Sequence, residues 1–382
     1  RDAFVNHPVR TREAVRTYAM VVGATCQQSA GMEMASLKSL GGIGDAGIVF
    51  DTVIIDEAAR ANPLDLFIPM SMAGTRVILV GDHRQLPHLL EPELEDEVTQ
   101  EHDLNATQRL AFKDSLFERL WRQLKDRSDQ DNFPRVVMLD TQFRMHPLLG
   151  QLVSEQFYEK EGLPPLKPGR AASAFHSNIP GYEGTVCGWL NVPLNAGPEG
   201  RRGNSPMRTA EVQRIAIEIK RLLEQGAASL SIGVITFYSA QRDAIFEELG
   251  QIGITERDTD TGAWGVSAPW NGVTTGGEEK LRIGTVDAFQ GKEFDVVLLS
   301  IVRANASLLP GGANAEGYEK AANGKFGHLR LSNRMNVAMS RQRSLLVAVG
   351  DRAMAAGADN AGAVPALAAF LALCEGGYGV VR

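Results

Sequence analysis

The chain has 382 residues, 44% of them hydrophobic and 22% charged, with 39 basic against 46 acidic side chains and a net charge of −7. That length is too great for one ordinary domain and predicts two or three. The composition excludes a disordered or fibrous chain, and the charge excludes a basic coat over the whole surface while leaving room for a local basic groove. No stretch approaches the ~20 apolar residues of a membrane span. The longest apolar run, Ala361 to Cys374, contains Pro365 and reads as a core helix. Cys26, Cys187 and Cys374 lie far apart, with neither the paired spacing of a zinc or iron–sulfur site nor the number a disulfide framework needs. A reducing, cytoplasmic setting is expected. The chain opens on Arg1-Asp2-Ala3, without Met or a signal peptide, and is expected to be the interior of a longer protein.

In chain order, buried strands are predicted over Met20–Ala24, Thr52–Ile55, Arg76–Val80, Val136–Leu139, Ile232–Thr236, Leu281–Thr285, Val296–Ile301 and Leu345–Val349. They are rich in β-branched residues and lack strict alternation, as parallel strands covered on both faces do. Glu91 to Asp103 carries seven acidic side chains and no Lys or Arg, and reads as a solvated loop. Ser115 to Glu118 has the pattern of a capping box and opens a helix with Leu116, Leu120 and Leu124 on one face. Gly162 to Gly203 is rich in Pro, Gly and Asn, with a short strand expected at Val186–Asn191. Met207 to Gln225 places Val212, Ile215, Ile219, Leu222 and Leu223 on one helical stripe, which Gly226 ends. Ala304 to Asn323 is Gly/Ala-rich and expected to be a mobile loop. Strands alternating with helices predict a doubly wound α/β architecture. The series starts afresh near Val136, which places a domain boundary at about residues 125–135.

Four apolar strand residues end in two carboxylates at Asp56-Glu57, followed by Ala58-Ala59. Nucleotide hydrolases need acid groups at such a strand end, one to hold Mg²⁺ through water and one to orient the attacking water. A second strand ends in Val80-Gly81-Asp82-His83-Arg84-Gln85-Leu86-Pro87, where Gly81 permits a tight turn and the Gln85 amide can touch a terminal phosphate. Further on stand Gln142-Phe143-Arg144-Met145-His146-Pro147 and Asn336-Val337-Ala338-Met339-Ser340-Arg341-Gln342-Arg343. Each puts an Arg beside a turn or helix start, and two such Arg could clamp a phosphate in its transition state. His328 to Arg343 holds four Arg and no acid in an acidic protein. Between them Thr285-Val286-Asp287-Ala288-Phe289-Gln290-Gly291-Lys292-Glu293 gathers a hydroxyl, an amide and a carboxylate around a Gly turn.

These blocks, in this order, resemble superfamily 1B helicases, most of all the up-frameshift-like branch. Asp56 to Ala59 looks like motif II, Gly81 to Pro87 motif III, and Gln142 to Pro147 motif IIIa. Gly233 to Thr236 with Gln241 looks like motif IV, Thr285 to Glu293 motif V, and Asn336 to Arg343 motif VI. Val22-Gly23-Ala24-Thr25 looks like the short motif before the Asp56 strand. The resemblance spans roughly residues 20 to 351. It implies two RecA-like doubly wound parallel-sheet lobes of the P-loop NTPase fold. Residues 1–125 would be the C-terminal part of the first, truncated at its N-terminus, and residues 126–382 the second.

By the same resemblance, Asp56 would hold Mg²⁺, Glu57 would polarise the attacking water and Gln85 would sense the γ-phosphate of ATP. Arg144 and Arg341 would be arginine fingers, Glu293 would bind the ribose, and Gln290 and Gly291 would sit on the phosphate side. Thr25, Thr236 and Thr285 would touch the backbone of single-stranded DNA or RNA. Ser340 and Gln342 stand where the family commonly has Thr and Ala. The implied activity is ATP hydrolysis coupled to 5′ to 3′ movement on single strands, with ATP between the lobes.

The Gly-x4-Gly-Lys-Ser/Thr phosphate loop is not found in the sequence. Gly291-Lys292 and Gly324-Lys325 lack both the upstream Gly and the hydroxyl. The full-length parent is therefore expected to hydrolyse ATP and this chain alone to be inactive. Two other readings remain open: a non-catalytic nucleic-acid-binding module, and an ATPase subunit of a nuclease or defence complex.

Overall fold

The computed structural model describes residues 18–32, 34, 50–86, 115–225, 229–274, 276–312 and 314–382. The acidic stretch Glu91 to Asp103 lies outside the described residues, as does Pro87 of the second strand-end block. The chain divides into two compact units, one ending at Val137 and one beginning at Met138.

In unit 1, α1 (Cys26–Ser29) precedes the parallel pair β1 (Phe50–Ile55) and β2 (Ala73–Leu79), with Val53 opposite Val77 and Ile55 opposite Leu79. Between these strands runs α2 (Pro63–Met70), which the Asn62 side chain caps by accepting from Leu64 N–H, with Pro63 in the first turn. The last helix is α3 (Leu116–Asp131), capped by Ser115 Oγ accepting from Glu118 N–H. It runs through residue 125, where the lobe boundary was expected, and belongs whole to unit 1. Asn132, in the left-handed region at φ 55°, closes it. Ile55, Ala58, Ala59, Leu66 and Phe117 form this unit's small core, so the same cluster that anchors α3 backs the Asp56-Glu57 turn.

Unit 2 opens with β3 (Thr141–Gln142), α4 (Pro147–Phe157) and β4 (Lys167–Pro168). There follow β5 (Cys187–Asn191), the hairpin β6 (Gly200–Arg202) and β7 (Ser205–Met207), α5 (Thr209–Gln225), β8 (Ile232–Thr236) and α6 (Ser239–Gln251). A second hairpin, β9 (Thr255–Arg257) and β10 (Trp264–Val266), precedes β11 (Leu281–Thr285) and β12 (Phe294–Ser300). The chain ends through α7 (Tyr318–Phe326), α8 (Ser332–Met339), β13 (Gln342–Gly350), α9 (Ala358–Ala363), α10 (Pro365–Cys374) and β14 (Gly379–Val381). Six strands form one sheet in the order β11-β8-β12-β13-β5-β14, with every neighbour parallel. Strands β8, β12 and most of β13 are buried on both faces, which is why their sequences run apolar without alternation. The stripe Val212, Ile215, Ile219, Leu222 and Leu223 of α5 packs into this core.

Four expectations change. Met20–Ala24 forms no strand: Met20 and Val21 are exposed, and the stretch leads into α1 with no ladder partner among the described residues. Val136–Leu139 is likewise unpaired among the described residues, with Val137 and Leu139 each 79% exposed. Ala361 to Cys374 is two helices, because Val364 leaves the helical region at φ −134° and Pro365, which has no N–H to donate, starts α10 afresh. Ala304 to Asn323 is not loop throughout, since α7 begins at Tyr318 after Gly317 turns the chain at φ 79°.

Candidate nucleotide and nucleic-acid sites

In unit 1 the strand ends β1 and β2 are tied together. Val80 N–H donates to Ile55 O at 2.8 Å and Ala58 N–H to Val80 O at 2.9 Å. Gly81 makes this approach possible: a Cβ there would lie 2.8 Å from Ala59 N. Asp56 is exposed and accepts the Glu57 N–H through Oδ1 at 2.9 Å. Glu57 stands at φ 53°, a left-handed conformation that a non-glycine residue adopts only where its surroundings impose it. The second turn is closed by Asp82, whose Oδ1 accepts Arg84 N–H at 2.9 Å and whose Oδ2 accepts Gln85 Nε2 at 2.8 Å. Both expected acid groups and the Gln85 amide thus sit on two mutually bonded turns at the C-terminal edge of one parallel strand pair.

Among the described residues no group of three or more His, Cys, Asp or Glu side chains could hold a metal ion. The donor set suits a Mg²⁺ bound through water to a single exposed carboxylate, that of Asp56, better than a directly caged ion.

In unit 2 the Gln142-Phe143-Arg144-Met145 turn is held by one amide: Gln142 accepts Met145 N–H through Oε1 at 2.8 Å and donates through Nε2 to Met145 O at 3.0 Å. His146 caps α4 through Nδ1, which accepts Leu148 N–H, and its own N–H donates to Arg343 O at 2.8 Å. This delivers Arg144 to the N-terminal edge of the sheet. Its Nε donates to Glu293 Oε2 at 2.9 Å and its Nη1 to Ser340 O at 3.2 Å. Arg341 follows Ser340 in the same α8–β13 turn. Its backbone O accepts Phe294 N–H at 2.9 Å, so the Arg144, Glu293 and Arg341 segments meet. The Arg341 side chain is buried, 1% exposed, with Nε on Val337 O and Nη2 on Ser340 Oγ. Arg144, with its side chain 32% exposed, is the more accessible of the two. Gln290 closes a short turn after Phe289, and Gly291 then takes φ 74°, open to solvent where a Cβ would stand.

Sequence reasoning missed Arg343 as the organiser of this edge. Its guanidinium holds Glu278 at 2.7 Å, Asp295 at 3.0 Å and Ser231 Oγ at 3.3 Å, and lies 3.5 Å from Glu293. Asp295 is itself buried and accepts both N–H and Oγ of Ser231. Arg343, with help from the Thr274 hydroxyl, holds the Glu278 carboxyl down at about 2. Only the run of Arg in a short acid-free segment marked it in the sequence.

The three expected backbone-contacting threonines are placed differently. Thr25 is exposed but its Oγ1 caps α1 by accepting Gln28 N–H at 3.1 Å. Thr285 is half-buried at the end of β11, directly opposite Thr236 of β8. Thr236 is fully buried, its hydroxyl without a hydrogen-bond partner, and offers no surface in this state. Beside it lies a second buried network missed in the sequence. Glu211 accepts from Ser300 Oγ and Val302 N–H, both at 2.8 Å, and from Arg208 at 3.2 Å. Gln241 of the motif IV block donates to Ser300 Oγ and accepts Arg208 N–H, which makes it an interior strut. Burial pushes the Glu211 carboxyl up to about 7.

A six-stranded parallel sheet covered by helices, with arginines at strand entrances, and a separate strand pair ending in Asp-Glu, define RecA-like architecture. The AAA domain family matches residues 112–353, more than half of the chain, and another AAA domain family matches residues 7–90. The chain belongs to this family, in the up-frameshift-like branch of the superfamily 1 helicases. It is 30% identical to ATP-dependent helicase NAM7 of Saccharomyces cerevisiae over 79% of this chain and 25% of that protein. It is 25% identical to probable helicase senataxin of Mus musculus over 90% of this chain and 11% of that protein. To the regulator of nonsense transcripts 1 homolog of Neurospora crassa it is 27% identical, over 89% and 25%. The chain thus spans a quarter or less of these relatives' length. Among solved structures it is similar to the Arterivirus nonstructural protein 10 helicase, at 15% identity and TM-score 0.33, covering 84% of this chain and 44% of that one. That likeness is too weak to carry the fold, which the sheet order carries by itself. No helix of the described residues is long and apolar enough to cross a membrane.

Proposed function

We propose that the full-length protein is an ATP-dependent translocase or helicase, moving 5′ to 3′ on single-stranded DNA or RNA in the cytoplasm. The observation that supports this most is the meeting of Arg144, Glu293 and the Arg341 turn at one sheet edge, from three distant parts of the chain.

In this reading Asp56 would hold Mg²⁺ through water, and the bound ion would polarise the γ-phosphoryl group of ATP. Glu57, fixed in its left-handed turn, orients the attacking water, and Gln85 reads the presence of the γ-phosphate. Arg144 exchanges Glu293 for the oxygens on which charge develops, and it does so from a turn that the Gln142 amide locks in place. Arg341 is assigned the second donor, and the arginine-finger role falls first to Arg144 because Arg341 is buried. Glu293 accepts from the ribose hydroxyls, and Gln290 with Gly291 flanks the phosphates. Thr25 and Thr285 are the proposed backbone contacts, and buried Thr236 is left out of that surface. Backbone contacts do not read sequence, so preference among strands should be weak.

The present chain carries no Gly-rich phosphate loop, and the cradle of N–H groups and Lys for the β- and γ-phosphates is missing from it. Steady-state phosphate release, with and without single-stranded nucleic acid, tests the proposal. Stimulated turnover by the full-length protein and negligible turnover by the 382-residue chain are expected. A full-length protein without nucleic-acid-stimulated turnover would leave the non-catalytic module as the better reading.

A further inference from the structure

We propose that His83 couples the Asp82–Gln85 turn to α3, the helix that carries the chain out of unit 1, and so transmits the state of the nucleotide site to the connecting segment. The inference rests on the functional reading above and assigns a positioning role to a residue that reading does not use.

Three observations carry it. First, the turn is rigid: Asp82 receives both Arg84 N–H and the Gln85 side-chain amide, so a displacement of Gln85 moves the whole turn. Second, His83 leaves that turn toward α3. Its ring lies 4.8 Å from Trp121 and 6.4 Å from Phe117, centre to centre, against the first two turns of the helix. Its Nε2 is buried without a hydrogen-bond partner, a cost the fold accepts at this one contact. Third, Phe117 belongs to the core cluster of Ile55, Ala58 and Ala59. Through Phe117 the helix therefore packs into the cluster that backs the Asp56-Glu57 turn, and through Phe117 and Trp121 it packs against His83 of the Gln85 turn. A shift of either turn therefore bears on the packing of α3, and residues 132–137 lead from α3 directly to the start of unit 2.

The contact works with a neutral ring. Burial first, and then the charge of Arg84, hold the His83 ring below its ordinary range, Arg122 adding to this and Glu118 and Asp82 opposing it. Shape and packing, not charge, are what pass between His83 and Trp121.

Phosphate release by the full-length protein tests the proposal. His83→Ala is expected to keep the KM for ATP and the unstimulated turnover within about two-fold while losing about ten-fold of the turnover stimulated by single-stranded nucleic acid, the size of an ordinary coupling. His83→Phe keeps a ring on Trp121 and should restore most of the loss. If His83→Ala lowers both rates by one factor, or neither, the coupling role is overturned while the hydrolase reading stands. Glu57→Gln is the control for that reading, which falls if this variant turns over ATP like the wild type. Should His83→Ala fail to fold, 5-fluorotryptophan in the wild-type protein decides. The Trp121 resonance, assigned by Trp121→Phe, should move when Mg²⁺ and a non-hydrolysable ATP analogue bind. A Trp121 resonance indifferent to bound nucleotide overturns the proposal.

Discussion

Arg144 and Glu293 stand 149 positions apart in the chain, yet the Arg144 Nε donates to Glu293 Oε2 at 2.9 Å. Their side chains are 32% and 40% exposed, so the pair contributes at most about 1 kcal/mol to stability. A contact worth so little to the fold is easily exchanged. Each partner is assigned a different part of the same nucleotide, the γ-phosphate for Arg144 and the ribose for Glu293. Without nucleotide they satisfy each other.

Arg144→Ala in the full-length protein should therefore lower stimulated ATP turnover by ~10²–10³-fold, the cost of losing one preorganised donor. Its thermal midpoint should move little. Arg144→Lys should not rescue, because a point charge cannot replace the planar fork that spans Glu293 and Ser340 here. Phosphate release and a melting curve on the same samples provide the check, and normal turnover in the Ala variant removes the arginine-finger assignment.

How legible all this was depends on what each residue's surroundings require. Ile232–Thr236 was readable to the residue because burial on both faces leaves a run without alternation, and Leu281–Thr285 keeps its expected bounds although Arg282 and Thr285 of this edge strand are only half-buried. Val136–Leu139 carries the same signal and forms no strand, since a run of Val and Leu specifies extended backbone but not the neighbour that completes a ladder. Arg144 and Arg341 read alike as turn arginines, yet one is accessible and the other buried, and burial is a property of the folded chain. Glu211 went unnoticed because a Glu early in an amphipathic helix reads as a favourable dipole contact. Only the fold reveals that it faces Ser300 and Val302.

Glu57→Gln tests the role of the left-handed acid beside Asp56. The substitution keeps shape and the backbone turn, and leaves the proposed metal-holding carboxylate, that of Asp56, untouched. Turnover should fall by at least ~10²-fold with near-normal nucleotide affinity, the range for a general-base position. Single-turnover kinetics beside equilibrium binding of a fluorescent ATP analogue separate the two. Lost affinity with normal turnover per bound nucleotide would show that Glu57 binds and does not activate.

Glu211 predicts a pH dependence with a definite sign. Its carboxyl titrates from an ordinary value of 4.5 to about 7 in the fold, because burial disfavours the charged form. Between those values the unfolded chain has lost this proton and the folded chain has kept it, so stability from this group falls as pH rises. The fall is complete above about pH 7 and amounts to roughly 3 kcal/mol at the outside. Glu211→Gln removes the titration. The difference in urea midpoint between wild type and variant should shift against the wild type from pH 5 to pH 7, then stay level. A difference that does not vary over that range would mean that Glu211 is ionised throughout.

Gly81→Ala tests whether the two acid-bearing turns of unit 1 must touch. A Cβ at residue 81 would stand 2.8 Å from Ala59 N and 3.2 Å from Ala59 Cβ. Both are parts of the fixed turn that follows Glu57, and neither is the end of a flexible side chain that could swing aside. The added methyl must therefore push the β2 end away from the β1 end, straining the Ala58 N–H to Val80 O bond of 2.9 Å. Overpacking of this kind costs about 1–3 kcal/mol. The geometric effect on function should be larger than the loss of stability. Gln85 rides on the turn that moves and Glu57 on the turn that stays, so their separation changes while each keeps its own chemistry. In the full-length protein this should appear as a fall of ~10²-fold or more in turnover, with binding of Mg²⁺–ATP much less affected, as expected when reacting groups are misplaced by a fraction of an ångström to an ångström. A melting curve confirms that the variant is folded at the assay temperature. Gly81→Ser should behave like Gly81→Ala, since it carries the same Cβ. If either variant keeps full turnover while folded, the contact between the turns is a packing convenience, and Gln85 and Glu57 need not be held in fixed register.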